Sequence, residues 1–207
     1  MNRCACREQH HPHRIVLTGG PGAGKTAVLE MLRRSTCHHV NVLPESAGLL
    51  FGGGFPRAKT PEVQAPAQRA IFYVQRELEA VAATGNHALV LCDRGTIDGV
   101  AYWPGPPDEM WKQLGTSLDE QLARYDAVIH LRTPSDDHYN RANPLRIENV
   151  GEAIAIDARI AQAWQRHPRR YEIPATQDFM TKTAAALALI AAEVPSCCRP
   201  THLLPMA

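Results

Sequence analysis

Apolar residues along this chain follow two alternating patterns. Short unbroken runs, Ile15-Val16-Leu17 and Ala88-Leu89-Val90-Leu91-Cys92, and the nearly apolar Ala127-Val128-Ile129-His130-Leu131 have the density of strands buried on both faces. Between them, apolar residues recur every three or four positions, as on one face of a helix. Val63, Ala67, Ile71, Val74, Leu78 and Val81 keep that spacing from Pro61 to Ala83, and Thr84-Gly85-Asn86 ends it. The pattern predicts strands at 14–18, 40–43, 88–92, 127–131 and 171–173. It predicts helices at 25–35, 61–83, 147–164 and 177–193. A Gly-rich loop, Gly52-Gly53-Gly54, precedes the long helix, and Pro104, Pro106 and Pro107 break the region 96–121 into short helices. Strand and helix alternate throughout, which predicts one α/β domain with a parallel sheet and right-handed crossovers.

The junction between the first strand and first helix carries the strongest chemical signal. Gly19-Gly20-Pro21-Gly22-Ala23-Gly24-Lys25-Thr26 fits G-x-x-x-x-G-K-[ST] at every fixed position. Strand, glycine turn and helix are the context that this motif needs to capture an anion. Gly22 and Gly24 let the backbone approach phosphate oxygens with no Cβ in the way. Successive N–H groups, extending to Ala27, and the positive end of the helix dipole then point at the same oxygens. Lys25 is expected to reach the β- and γ-phosphates, and the Thr26 hydroxyl to ligate Mg²⁺. No Asn-Lys-x-Asp guanine signature occurs, which leans the nucleoside triphosphate toward ATP.

Composition narrows the remaining choices. A chain of 207 residues, 44% apolar, suits a single domain with a real core. A net charge of +1 gives no electrostatic case for nucleic acid or an anionic membrane. No apolar stretch approaches the roughly 20 residues of a transmembrane segment. Met1 to Arg14 is polar and has no signal-peptide hydrophobic region, so a cytoplasmic location is expected. A homodimer is compatible with the sequence, which does not fix an oligomeric state. Cys4, Cys6, His10, His11 and His13 match no standard zinc spacing, so residues 1–13 read as a poorly ordered tail. Cys197-Cys198, near Pro195 and Pro200, reads as part of an unstructured C-terminal tail, 195–207. Cys92 reads as a small buried hydrophobe. The domain itself is assigned to 14–194.

Further candidates lie where strands end. Asp93 follows four apolar residues, the Walker B pattern, and an acid there can hold Mg²⁺ or its bound water. Arg94 follows at once, as a contact to the transferring phosphoryl group or as a surface ion pair. Glu45 sits just past the second strand, on the edge where ligands bind in open α/β sheets. It can accept a proton from an attacking hydroxyl, position a water, contact Mg²⁺ through solvent or cap a helix. Arg132, Arg141 and Arg146 punctuate a polar segment. Arg141 and Arg146 are the best candidates for a lid that neutralises triphosphate charge. Tyr102, Trp103 and Trp111 are either an aromatic wall for a planar acceptor or simply core.

Several segments then recur in a recognisable order. After the glycine loop come Pro44-Glu45-Ser46-Ala47, Leu91-Cys92-Asp93-Arg94-Gly95-Thr96-Ile97-Asp98-Gly99, Asn143-Pro144-Leu145-Arg146-Ile147-Glu148 and Trp164-Gln165-Arg166-His167-Pro168. Together they resemble the NadR-like, AAA-type ATP-binding proteins, the group that includes relatives of the TRPL translocation defect protein. The resemblance covers roughly residues 14–194, and its Asp-Arg-Gly-x-x-Asp-Gly and Asn-Pro-x-Arg-x-Glu segments are far narrower signals than the glycine loop. It implies a three-layer, kinase-type P-loop NTPase fold. The sheet would be five-stranded and parallel in the order 2-3-1-4-5, with helices on both faces and an Arg-bearing lid. The chain is also similar to nucleoside and nucleotide kinases. That similarity implies Glu45 as base, the Asp93-Arg94 pair beside the phosphates, and ATP with Mg²⁺ as cofactors. The expected activity is γ-phosphoryl transfer to an unidentified small-molecule, nucleoside-like acceptor. A nucleotide-dependent switch or slow NTPase is the alternative.

Overall fold

A computed structural model describes residues 4–134, 149–175 and 178–199. Five strands, β1 (His13–Thr18), β2 (Val40–Leu43), β3 (Leu89–Asp93), β4 (Ala127–Leu131) and β5 (Arg170–Ile173), form one sheet in the order β2-β3-β1-β4-β5. Every pairing is parallel. This is the order that the resemblance implies. The helices are α1 (Lys25–Ser35), α2 (Ser46–Gly52), α3 (Pro61–Ala83), α4 (Pro107–Leu114), α5 (Leu118–Leu122), α6 (Val150–Ala163) and α7 (Phe179–Glu193). A 3-10 segment spans Thr96–Tyr102, and a single 3-10 turn spans Ser196–Cys198.

The unbroken apolar strands have a simple cause: both faces of the sheet are covered. Ile15, Leu17, Leu89, Leu91, Ile129 and Leu131 join Val28, Leu29 and Leu32 of α1 and Ala186 and Ile190 of α7 in one core. Val16, Val90, Cys92 and Val128 point the other way. They meet Phe72 of α3, Met110 and Trp111 of α4, and Ile156, Ile160 and Trp164 at and just past α6. Cys92 is fully buried, as its setting predicts. Among the described residues, no helix is long and apolar enough to cross a membrane.

Three features differ from the expectations. First, α2 follows β2 directly and was not signalled, because Ser46–Gly52 is short and contains two glycines. Second, α3 turns Gln68, Phe72, Gln75, Glu79 and Ala82 inward, while Val81 is 70% exposed. Hydropathy misplaces that face because Glu79 is buried with its own partners. Tyr125 Oη donates to its Oε1 at 2.8 Å, Gln75 Nε2 donates at 2.9 Å, and the Arg124 and Arg14 guanidinium groups flank Oε2. Third, the two ends of the described chain pack on the body. Cys4 and Cys6 lie against the core that contains Cys37 and Cys198, and the His10 N–H donates to Asn86 Oδ1 at 2.7 Å. Cys198 is 3% exposed, where the sequence predicts a loose tail.

Candidate functional site

Three strand ends converge on one edge of the sheet. Leu17 of β1 pairs with Asp93 of β3, and Leu43 of β2 pairs with Cys92. The parallel register therefore carries Asp93, Arg94 and Glu45 to the same edge as the glycine loop that leaves β1. Gly22 and Gly24 hold φ values of 80° and 98° within that loop, and Gly24 caps α1. Such values favour residues without a Cβ. Gly20 is fixed by space instead: a Cβ there would lie 2.4 Å from Thr133 Oγ1 and 2.8 Å from Asp157 Cβ. Its N–H donates to Asp157 Oδ1 at 2.8 Å.

Lys25 opens α1 and is buried. Its Nζ donates to the carbonyls of Gly19 and Gly20 at 2.9 and 3.1 Å. Burial pushes its pKa down to about 8 and Arg94 pushes the same way, while Asp93, Glu45 and Asp98 oppose them. The ammonium form still dominates at neutral pH. Thr26 follows, exposed on the first turn of α1.

Asp93 is the least satisfied group at this edge. Its Oδ1 is buried and meets no hydrogen-bond donor. Burial raises its pKa to about 6, and the Glu45 and Asp98 carboxylates add to the effect against Lys25 and Arg94. A buried carboxylate oxygen of this kind is costly unless something engages it. An orphaned carboxylate together with an exposed threonine hydroxyl is an all-oxygen donor set, which suits a hard cation such as Mg²⁺. The residues present fit that ion.

Arg94 organises the rest. Its Nε donates to Glu45 Oε1 at 2.7 Å, and its Nη1 reaches Gly19 O at 3.0 Å and Asp98 Oδ1 at 3.2 Å. Its φ of 69° is the only positive value at a non-glycine among the described residues. A strained backbone of this kind persists only when its surroundings over-determine it, and such positions cluster at functional sites. Glu45 caps α2 and keeps 38% of its side chain exposed. Burial alone would raise its pKa, but Arg94 and then Lys25 hold it below the usual carboxylate range. Glu45 is therefore ionised at neutral pH. The surface-pair reading of Arg94 fails, because its side chain is only 13% exposed.

Some candidates fall elsewhere. Arg141 and Arg146 lie outside the described residues. Arg132 is engaged at the end of β4, its Nε 2.9 Å from Asp157 Oδ2 and its Nη1 3.3 Å from Glu172 Oε1. Trp103 and Trp111 are core residues, 8% and 5% exposed, so they form no open wall. Tyr102 is half-buried, and its ring centre lies 5.8 Å from the Arg94 guanidinium carbon.

Sequence reasoning missed two carboxylates. Asp98 accepts from Arg94, from Gly95 N–H at 3.0 Å, from Trp164 Nε1 at 3.1 Å and from the Thr18 hydroxyl. It thus ties the end of β1 to the end of β3 and to α6. Asp157 accepts from Gly20 N–H, from His130 Nε2 at 2.9 Å and from Arg132. It braces the glycine loop from α6. The only sequence trace of Asp98 was its presence in the Asp-Arg-Gly-x-x-Asp-Gly segment. Asp157 left none.

Comparison with known proteins bears on the family and the fold. The family model described as AAA domain matches residues 14–182. No curated protein sequence matches the chain significantly. Among solved structures, NadR protein in complex with NR is similar with a TM-score of 0.70 and 14% identity, covering 90% of this chain and 52% of that one. NadR protein in complex with NAD and AMP-PNP has a TM-score of 0.62 at 14% identity, covering 88% and 49%. Deoxyadenosine kinase from M. mycoides, with products dCMP and a flexible dCDP bound, has a TM-score of 0.55 at 11% identity, covering 86% and 99%. The chain spans about half the length of the NadR chains. At these identities the likeness is one of fold. With the family model spanning residues 14 to 182, this chain belongs to the AAA domain family, and it shares the fold of NadR protein and of deoxyadenosine kinase.

Proposed function

We propose that this protein binds Mg²⁺-ATP and transfers the γ-phosphoryl group to a hydroxyl of a small, nucleoside-like acceptor. The observation that carries the reading is the span of Arg94, which joins Glu45 at 2.7 Å to the glycine-loop carbonyl of Gly19 at 3.0 Å. One guanidinium thus fixes an ionised carboxylate relative to the phosphate cradle. A carboxylate anchored there can orient an acceptor hydroxyl; a slow NTPase would turn the same group on water, so acceptor dependence separates the two readings.

The amides from Gly22 to Ala27 cradle the β-phosphate, with the α1 dipole behind them. The Lys25 ammonium leaves its two carbonyls and follows the charge that builds on the γ-phosphoryl oxygens. Thr26 and Asp93 would hold Mg²⁺, which would supply charge neutralisation to the triphosphate. Glu45 orients the acceptor hydroxyl and takes its proton as the oxygen attacks. Its low pKa is no obstacle. A loose phosphoryl transition state asks for placement more than for strong basicity. Nucleoside-like acceptors are favoured by the fold shared with NadR bound to NR and with deoxyadenosine kinase.

The test is acceptor dependence. Purified protein is incubated with Mg²⁺-ATP, with and without a panel of nucleosides, and both ADP and phosphorylated acceptor are measured. The proposal expects ADP formation to rise at least tenfold with one acceptor class, matched by phosphorylated product. Equal ATP consumption with and without every acceptor would refute it and leave a slow NTPase.

A further inference from the structure

A second cluster of metal-binding chemistry lies away from the glycine loop. Cys4, Cys37, His39 and Cys198 bring one ligand atom each to within 4.8 Å of one another. His39 Nδ1 is 3.3 Å from Cys4 Sγ and 3.3 Å from Cys198 Sγ. Cys37, His39 and Cys198 are 7%, 4% and 3% exposed, and Cys4 is half-buried. The three cysteines are free of disulfide bonds.

Three sulfurs and one imidazole nitrogen around a point make the Cys₃His donor set of closed structural zinc sites. The spacing also fits. Zinc–sulfur bonds of about 2.3 Å and zinc–nitrogen bonds of about 2.0–2.1 Å give tetrahedral edges of about 3.5–3.8 Å, and the two measured edges are within a few tenths of that. A thiol is a weak hydrogen-bond donor, so hydrogen bonding alone gives three thiols, two of them buried, little reason to crowd around one ring nitrogen. Soft sulfur donors select zinc over the hard cations that suit the phosphate edge.

We infer that Cys4, Cys37, His39 and Cys198 form a structural zinc site that fastens both ends of the chain to the connection between α1 and β2. On binding, the three thiols each release a proton to solvent, and His39 coordinates through neutral Nδ1. All four tetrahedral positions are then filled by protein, which leaves no open position for chemistry. Cys6 and His10 form the outer shell. His10 Nε2 is 3.4 Å from Cys6 Sγ and 3.5 Å from Cys198 Sγ, where it can donate to the bound thiolate. Cys6, His10, His39 and Cys198 form a second combination, but it shares two ligands with the first and so does not make an independent site.

The location agrees with a fastening role. His39 immediately precedes β2, so the cluster sits at the amino ends of the parallel strands, opposite Glu45 and Asp93. Helix α1, 11 residues or about 16 Å long, separates Cys37 from the glycine loop. The ligands come from positions 4, 37, 39 and 198, so one ion would close loops that span almost the whole chain.

The test uses the full chain without an affinity tag, purified under reducing conditions. Zinc content is measured by elemental analysis, and Co²⁺ replaces zinc as a spectroscopic probe. The expected result is one zinc per chain, with tetrahedral d–d bands and thiolate-to-cobalt charge transfer in the cobalt form. Cys37→Ser and Cys198→Ser should lose both signals, while Cys6→Ser and His10→Gln keep them. Chelation should lower Tm by about 10 °C, the scale expected for release of a ligand held far above its Kd. If the serine variants do not fold, His39→Cys keeps four ligands and should bind one Co²⁺ with a spectrum shifted toward four sulfurs. Absence of bound metal in the reduced wild type would overturn the site. So would full metal content in Cys37→Ser, loss of metal in Cys6→Ser but not in Cys37→Ser, or a disulfide among these cysteines in freshly isolated protein.

Discussion

The two ends of the same parallel sheet solve opposite problems with different materials. At the carboxyl ends, the groups are oxygens, amides and cations: Asp93, Glu45, Thr26, Lys25 and Arg94. They are linked through Arg94 and left partly unsatisfied, as the orphaned Asp93 Oδ1 shows. At the amino ends, the groups are thiols and imidazoles, gathered within a few ångströms and largely shielded from water. The first arrangement suits a charged ligand that comes and goes. The second suits an ion that stays. Unsatisfied polarity at one end and gathered soft donors at the other are therefore separate signals, and each can be broken without the other.

The largest effect is expected at Lys25. Lys25→Ala removes a buried ammonium from the glycine loop and should weaken ATP binding by on the order of 10³-fold or more. Isothermal titration calorimetry with ATP and Mg²⁺ checks this, with Tm and zinc content as controls for the opposite end. Unchanged nucleotide affinity would remove the role given to Lys25.

The difference between the ends also explains what was legible in the sequence. The proposed phosphate edge draws on Gly19 to Ala27, which are contiguous, and on Glu45, Asp93 and Arg94, which lie at or just past strand ends. The motif fixes the loop conformation, and parallel pairing does the rest. The sheet was legible for a similar reason: strands buried on both faces are nearly all apolar. The thiol cluster takes its ligands from positions 4, 37, 39 and 198, so no local spacing announces it, and Cys4 and Cys198 read as tail residues. The α3 face was misread because Glu79 is buried among Tyr125, Arg14, Arg124 and Gln75. Charge compensation of that kind depends on residues far apart in sequence. Asp98 and Asp157 escaped for the same reason, since their partners come from three and two separate segments.

The next effect concerns that hidden support. Asp98 accepts from Thr18, Arg94, Gly95 and Trp164. Asp98→Ala leaves an arginine without one of its carboxylates and three buried donors without an acceptor. It should cost about 3–4 kcal/mol, or roughly 8–12 °C in Tm. Thermal unfolding by circular dichroism measures it. A shift below 2 °C would mean that the donors find other partners and that Asp98 is not the brace between β1, β3 and α6. Zinc content should not change, because the damage is confined to the phosphate edge.

Glu45→Gln sharpens the comparison within that edge. The amide keeps the shape and can still accept from Arg94, so ATP affinity should stay within about threefold. Acceptor-dependent turnover should fall by roughly 10²-fold, the scale of losing a positioned base. A variant with full turnover would limit Glu45 to holding Arg94 in place. Arg94 would then serve the loop alone.

The smallest effect is a pH dependence at the bracing carboxylate of the loop. Burial alone would raise the pKa of Asp157, but the His130 hydrogen bond, the Gly20 N–H and Arg132 hold it below the usual range. A carboxyl with a lower pKa in the folded chain binds fewer protons there than in the unfolded chain at acid pH. It contributes stability above its unfolded pKa of about 3.9, and that contribution fades as pH falls through the lower folded value. Asp157→Asn should therefore be less stable than wild type by about 1–2 kcal/mol at pH 7, and the gap should narrow below about pH 4. Urea unfolding from pH 7 to pH 3 gives both curves. A gap that stays constant over that range would mean that the asparagine loses shape or packing and not charge. The hold of Asp157 on Gly20 would then be a matter of fit, as at the thiol end, and the contrast between a charged edge and a packed one would weaken at the glycine loop itself.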